Sequence, residues 1–288
     1  MSESTFDTIV SGLKSGKIVP YIGPGALAGV TNKADGTPIP ADSESLILAM
    51  NNGTPMAPKL MYEFPRAAMN LELKKGRKFV ERFLTTTYGE NQYTSSKLHD
   101  WLASLGLPYI IDINRDTQFQ DYYQDRAHNL VLGVARIAGT DYRFRIFQFT
   151  DGQYEEIDVE KADPSLPILF KPMGSPRPEP TFIASDADYV DYITELMGGF
   201  SIPYFMKDYR KEKQYLFLGI NMTRDTERMV LSDIIYAADK PTGWALIPNP
   251  TEKELRFCKK KGIEVIDADW DSLLSGSLDD KVSASAAG

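Results

Sequence analysis

The sequence predicts an α/β fold: a Rossmann-like, doubly wound and mainly parallel sheet, with a small insertion that contains a β-hairpin. Two observations lead to this prediction. Short apolar runs typical of buried strands alternate along the chain with segments whose apolar residues recur at helical spacing. Two of these runs end in loops of glycine or polar residues, at 23–27 and 112–116. In parallel sheets, ligands bind beyond the carboxyl ends of the strands.

The first elements are a helix and a strand that runs into a loop bounded by glycines. Helical spacing relates four apolar residues near the N-terminus, Phe6, Ile9, Val10 and Leu13. A short strand follows at 17–22, and the loop after it begins with Gly23 and Gly25. These glycines would let a diphosphate approach main-chain N–H groups at a helix start. A strand that ends in Gly-Pro-Gly is also common as a simple turn.

A long excursion over the surface comes next. Residues 31–58 are rich in Gly, Pro, Asn and Asp and contain one apolar run, at 46–50, which predicts a single short helix. Segments of this kind often cover a ligand. Residues 60–84 predict two helices that are broken near Gly76, and their Met and Phe side chains favour a core role.

The next unit is a helix, a glycine stop and an apolar strand that ends in a polar cluster. Asp112, Asn114 and Asp116 stand where the strand ends, which is where substrate chemistry is usually built in an open parallel sheet. The same residues could instead cap the helix that follows, and Asp116 could do so unaided. Arg115, between them, could bind a phosphate or pair with one of the two aspartates.

Residues 141–159 alternate apolar and polar side chains about an Asp-Gly pair at 151 and 152, which predicts a β-hairpin. We assign it to an insertion at about 117–165. Phe147 and Phe149 are expected to pack on the main sheet, and the arginine-rimmed hairpin could also be a surface for a partner.

The remaining elements alternate strand and helix up to a polar end. Strands are predicted at 216–218, 244–247 and 265–266, and helices at 186–197 and 223–235. Thr251 and Glu254 form a capping box for a last helix. The segment 171–180 carries four prolines and predicts an extended loop across the cleft. The small, polar residues 275–288 predict a flexible tail after one domain at 1–274.

Composition restricts the class of protein. The 288 residues are 42% hydrophobic and 25% charged, and the formal net charge of −8 argues against a nucleic-acid partner. There is no apolar run long enough for a membrane span, so we expect a cytoplasmic protein without a membrane role. The single Cys258 and two scattered histidines, His99 in a helix and His128 in an exposed turn, predict that no metal is bound.

Four motifs resemble those of the sirtuin family and follow the same order along the chain. Residues 23–27 resemble the sirtuin Gly-Ala-Gly-x-Ser loop, and residues 112–116 resemble the Thr-x-Asn-x-Asp motif. Residues 169–175 are similar to the segment that carries the catalytic histidine, and residues 215–221 to the strand and glycine at the adenosine end. The likeness is to the bacterial sirtuin-like group without a zinc ribbon. Residues 39–66 are also similar to sirtuin-like proteins that accompany nitrogen-fixation genes.

The resemblance implies a site for NAD or an ADP-ribose-like nucleotide and no metal. The implied cofactor-binding residues are Gly23, Pro24, Gly25, Ala26, Asn114, Asp116, Lys171, Gly219 and Asn221. This chain departs from the family pattern where Met173 stands at the position of the catalytic histidine and Leu27 at that of the loop serine. A thioether cannot accept a proton, so ordinary sirtuin deacylation is not expected.

Two classes of function remain open. The favoured one is a catalytically impaired, nucleotide-binding accessory protein that docks on a protein partner, including components of nitrogenase. The alternative is an active NAD-consuming enzyme, an NAD hydrolase or a protein deacylase. Its catalytic residues would be Asp112, Asn114 and Asp116, which could stabilise an oxocarbenium ion and hold a water molecule.

Overall fold

A computed structural model describes residues 4–135, 141–279 and 282. Within these residues the chain forms a nine-stranded sheet in the order β11-β10-β9-β1-β2-β6-β3-β4-β5 and a separate two-stranded sheet, β7-β8. The strand bounds are β1 Ile18–Ile22, β2 Tyr109–Asp112, β3 His128–Gly133, β4 Phe144–Thr150, β5 Gln153–Ile157, β6 Ile168–Lys171, β7 Gly174–Ser175, β8 Thr181–Phe182, β9 Gln214–Leu218, β10 Gly243–Leu246 and β11 Ile263–Ile266.

The strands β11, β10, β9, β1, β2, β6 and β3 are parallel to one another. Strand β1 lies between β2 and β9, with Tyr21 opposite Ile111 on one side and opposite Phe217 on the other. Every residue of β1 and β2 is buried, as continuous apolar runs in a parallel sheet require. The predicted α/β fold with a mainly parallel sheet is confirmed.

Helices cover both faces of the sheet. The helix bounds are α1 Thr5–Lys14, α2 Ser43–Met50, α3 Pro58–Met61, α4 Phe64–Lys75, α5 Arg77–Thr85, α6 Lys97–Ser104, α7 Gln118–Tyr122, α8 Asp186–Gly198, α9 Tyr204–Tyr209, α10 Asp225–Ile234, α11 Glu252–Lys261 and α12 Asp271–Leu274. Residues of α8, α9, α10 and α11 pack on one face, and residues of α1, α6 and α12 pack on the other. The sheet is therefore doubly wound.

A third apolar cluster lies apart from the two faces of the sheet. It is built mainly from α2, α4 and α5, with Ile47, Phe64 and Val80 among its buried members. Gly76 separates α4 from α5 at a φ of 86°, where a residue with a side chain would be strained, so the predicted break is confirmed. We call α2–α5 the helical layer.

The hairpin at Asp151 and Gly152 is confirmed. Both turn residues have positive φ, 52° and 83°, as a two-residue turn between twisted strands requires. Strand β4 pairs antiparallel with β3, so the hairpin extends the edge of the main sheet, and Phe147 is buried on it. The assignment of 117–165 as an insertion stays a prediction.

One expectation about a single segment is wrong, and the first residues of the predicted tail also differ from expectation. His128 is the fully buried first residue of β3, because Arg126 and Tyr154 bond with its two ring nitrogens inside the sheet. The chain is also packed beyond Ser275: Leu278 is fully buried, and the Asp279 carboxylate accepts the Phe6 N–H at 3.2 Å. The predicted tail residues 280, 281 and 283–288 lie outside the described residues.

In the described part of the chain, no helix combines the length and apolar character needed to cross a bilayer.

Candidate functional site

A cavity of about 580 Å³ lies at the carboxyl ends of the strands. Residues that follow β1, β2, β6, β9 and β10 line one side of it, and residues of the helical layer, including Leu46 and Phe64, line another. Strand β1 is the switch point of the sheet, because the chain continues to β2 on one side while β9 and β10 lie on the other. Ligands of open α/β sheets bind at this position. The predicted covering role of 31–58 agrees with its lining residues, which are Ala41, Asp42, Ser43, Glu44 and Leu46.

The loop after β1 packs tightly against the end of β9. The N–H of Gly23 donates to the carbonyl oxygen of Leu218 at 2.9 Å, and that of Gly25 to the carbonyl oxygen of Gly219 at 2.8 Å. The Ala26 N–H donates to the carbonyl oxygen of Gly23 at 3.0 Å. These donors are engaged within the protein, so the expectation that they face a diphosphate is corrected.

Close packing of the two loops explains why glycines are needed at these positions. A Cβ at Gly23 would lie 2.7 Å from the Gly219 oxygen, and one at Gly25 would lie 2.8 Å from the Gly219 Cα. Gly219 itself has a φ of 63°, and a Cβ there would overlap the Ala26 nitrogen. The glycines let two backbones approach more closely than any side chain allows.

Lys171 and Asp112 form a buried ion pair under the site. The ammonium group of Lys171, at the end of β6, bonds with the Asp112 carboxylate at the end of the neighbouring strand β2, and both side chains are at most 1% exposed. Burial raises the pKa of Asp112, and the Lys171 ammonium opposes that rise. Neither residue lines the cavity.

Asn114 and Asp116 also point into the protein. The Asn114 amide donates to the carbonyl oxygen of Gly23 at 3.0 Å and so ties the β2 loop to the β1 loop. One Asp116 oxygen accepts the Gln118 N–H at 2.9 Å in a local turn before α7, whose N-cap is Thr117 rather than Asp116. The other Asp116 oxygen is buried without a partner among the described residues.

His99, Asp112 and Asp116 bring potential metal ligands together. One donor atom from each lies within 4.8 Å of the others, and all three residues are buried. Burial lowers the pKa of His99, so its imidazole is neutral, as a ligand must be. The Lys171 ammonium already occupies an oxygen of Asp112. The absence of a metal therefore stays a prediction.

The structure thus divides the predicted site residues into two groups. Those that line the cavity are Pro24, Gly25, Gly219 and Asn221. Those that lie behind the lining are Gly23, Ala26, Asp112, Asn114, Asp116 and Lys171. The second group holds the loops together, through hydrogen bonds and one ion pair, and does not face the open space.

Two of the charged residues in the lining stand out: Arg115, which the sequence offered as a phosphate ligand or an ion-pair partner, and Glu227, which was absent from the predicted site. Arg115 lines the cavity beside Met173, although its sequence neighbours do not. Glu227, in the first turn of α10, also lines the cavity, and its Oε2 is buried without a partner in the described part of the chain. Burial and the nearby Glu63 carboxylate raise its pKa to about 7. Glu227 follows no motif, so no signal in the sequence could have found it.

The comparisons with known proteins give one match. The family model described as the SIR2-like domain matches residues 108–266, more than half of the chain. This range runs from β2 to β11 and includes the polar loop at 112–116, Met173 and Gly219. No curated protein matches the sequence.

Proposed function

Because this chain belongs to the SIR2-like domain family, we propose that its cavity binds NAD or an ADP-ribose-like nucleotide. One observation carries the proposal: the cavity lies at the switch point of a doubly wound sheet, beside the loop after β1 and the glycine after β9. Its volume, about 580 Å³, is within the range of small-molecule and cofactor sites, about 300–1,000 Å³.

The shape of the cavity fits a long ligand. Its lining reaches from Pro248, after β10, across β9, β1 and β2 to Met173, after β6. Four strand spacings of about 4.8 Å correspond to a span of about 19 Å. Asn221 and Thr223 offer polar groups at the β9 side, and Arg224 offers a positive charge for phosphate. An extended dinucleotide needs such a succession of polar groups.

Histidine-dependent chemistry is impaired in this proposal. Bound NAD supplies a ribose that is activated by its bond to nicotinamide, and a sirtuin histidine acts there as a base. Met173 lines the cavity and is 4% exposed. A thioether cannot take up a proton, and loss of a general base costs roughly 10²–10⁴ in rate. Binding depends on other groups and need not be affected.

The accessory role requires a partner, and we propose a protein partner in the cytoplasm. The sequence similarity of residues 39–66 favours a component of nitrogenase. Exposed apolar side chains support a docking role: Val190 and Met197 of α8 are 68% and 70% exposed, and the half-exposed rings of Phe200 and Tyr142 lie 6.3 Å apart. Exposed apolar groups of this size often mark protein contacts.

A second candidate function is hydrolysis of NAD, and Glu227 is the observation in its favour. A carboxyl group that titrates near neutral pH inside a cavity can take a proton from an attacking water molecule. The water oxygen would bond to the ribose carbon while nicotinamide leaves with the electron pair of the broken C–N bond. Asp112 and Asp116 lie behind the lining and are less suited to this task.

The test combines calorimetry with a nicotinamide-release assay on the purified full chain. We expect both ADP-ribose and NAD to bind, with no histidine-type turnover. In A28W, an indole replaces an exposed methyl group on the cavity lining, and this variant should lose binding. A34W places the same indole at an exposed alanine outside the lining and is the matched control.

Failure of ADP-ribose and NAD to bind would overturn the proposal, and binding to A28W with unchanged affinity would locate the nucleotide elsewhere. Nicotinamide release at ordinary enzymatic rates that is lost in E227Q would select the hydrolase instead. Turnover that survives in E227Q would exclude Glu227 as its base.

A further inference from the structure

Arg115 differs from the other well-buried cations of the described chain. Its side chain is at the end of β2 and is 8% exposed, yet no carboxylate oxygen lies within 4.0 Å of it among the described residues. Lys171, by contrast, is paired with Asp112, and Arg143 with Asp191. A guanidinium group cannot release its proton at any ordinary pH, so Arg115 is a permanent buried charge.

The contacts of Arg115 leave part of its donor capacity unused. One terminal nitrogen donates to the carbonyl oxygen of Ile183, and the Phe64 ring lies under the guanidinium with its centre 5.3 Å from Cζ. Tyr189 interacts with the same group through its phenol. The Nε atom is buried and has no hydrogen-bond partner in the part of the chain that the structure describes. Burial of a charge in this state carries a desolvation penalty that an anion would offset.

Arg115 lies at the end of the cavity away from the β9 glycine. Phe64 of α4 and Tyr189 of α8 contact its guanidinium group, and Met173 and Ile113 belong to the same lining. This end of the cavity is therefore mostly apolar and aromatic around the fixed positive charge of Arg115, and the Glu63 and Glu227 carboxyl groups act on Tyr189 from further along the lining. Such a pocket fits a flat or compact group that carries a negative charge.

We propose that Arg115 binds a carboxylate or phosphate group at the end of the nucleotide opposite its adenosine. This inference rests on the proposed nucleotide site and adds a specificity to it. The ligand is then a dinucleotide or ADP-ribose derivative with an additional anionic group, and an uncharged carboxamide or hydroxyl group at that end binds less tightly. The planar guanidinium can hold either anion through two parallel hydrogen bonds.

Two matched pairs of ligands test the proposal by calorimetry. NAD and nicotinic acid adenine dinucleotide differ only in a carboxamide or a carboxylate on the pyridine ring. ADP-ribose and ADP-ribose 1″-phosphate differ only in a phosphate on the terminal ribose. We expect the wild-type protein to bind the anionic member of at least one pair about tenfold or more tightly, as a partly buried charged hydrogen bond implies. The pair that responds identifies the anion as carboxylate or phosphate.

Variants separate this inference from the nucleotide site itself. R115M should lose the preference for the anionic member of the responding pair, and R115K should keep part of the preference. Circular dichroism of R115M checks that the variant folds, since the change also removes the hydrogen bond from Arg115 to the Ile183 carbonyl oxygen.

If ADP-ribose binds but the two members of each pair bind with equal affinity, the Arg115 proposal is overturned and the proposed nucleotide site stands. A preference that persists in R115M also overturns it. If none of the four compounds binds, the proposed nucleotide function fails, and the Arg115 inference fails with it.

Discussion

The N–H of Gly25 donates to the carbonyl oxygen of Gly219 at 2.8 Å, which joins the loop after β1 to the loop after β9. A Cβ at either glycine would overlap the backbone of the other loop. The two loops, which form the centre of the cavity lining, are thus held in place by backbone contact. The cavity exists in its present form because both positions lack a side chain.

The first prediction is that G219A destabilises the fold by about 3 kcal/mol, from overlap with the Ala26 nitrogen and from strain at a φ of 63°. Gly29 is the matched control, since its φ is 79° but nothing lies within 4 Å of a Cβ there. G29A should cost about 1 kcal/mol from backbone strain alone. Urea unfolding measures both losses, and equal losses would show that the close approach is unimportant.

The second prediction concerns the buried pair of Lys171 and Asp112. K171M leaves the Asp112 carboxylate buried without its cation and should lower the free energy of unfolding by about 3–5 kcal/mol. The double variant D112L/K171M should lose much less, because neither charge remains. Denaturant titration of the single and double variants checks this. A loss below about 1 kcal/mol in K171M would contradict the pairing.

The third prediction follows from the raised pKa of Glu227. The pKa of this carboxyl is about 7 in the folded protein against an ordinary value of 4.5. Between these values the folded chain holds a proton that the unfolded chain has released, so stability falls as pH rises from about 4.5 to 7. Well above pH 7 the folded chain has also released this proton, so its contribution to the free energy of unfolding is fully lost.

E227Q removes this dependence. Relative to wild type it should be about 2–3 kcal/mol more stable at pH 8 and nearly equal at pH 5. Exposed Glu44, at the rim of the same cavity, provides the control E44Q. Unfolding free energies at the two pH values give the answer. A stability gain of E227Q that is the same at both would refute the titration of Glu227 in this range.

The fourth prediction is that M173H gains activity. Met173 lines the cavity, so an imidazole at this position would add a general base beside the proposed nucleotide. Nicotinamide release from NAD should rise by roughly 10²-fold or more over wild type. M173L keeps an apolar side chain of similar volume and should show no gain. If M173H and M173L release nicotinamide equally slowly, the loss of histidine is not what limits the chemistry.

The sequence by itself determined many of the elements and their type, but it did not predict β3 or α9. The continuous apolar runs of β1, β2 and β9 predicted three buried parallel strands, because strands buried on both faces cannot alternate. Local chemistry also predicted the turn at Asp151 and Gly152 and the capping box of Thr251 and Glu254. Each of these signals lies within a few consecutive residues, so the amino-acid sequence alone is enough to recognise it.

The tertiary structure alone decided which polar residues face the cavity. Asp112 and Arg115 are three positions apart, but the first is neutralised by Lys171, 59 residues away on the neighbouring strand, and the second has no counter-ion in the described chain. The backbone of the β1 loop likewise meets a distant partner, because the Gly25 N–H donates to the Gly219 carbonyl oxygen and Gly23 and Gly25 pack against Gly219. The fate of a charge or a backbone donor depends on partners that the fold brings from distant segments, and local periodicity contains no information about those partners.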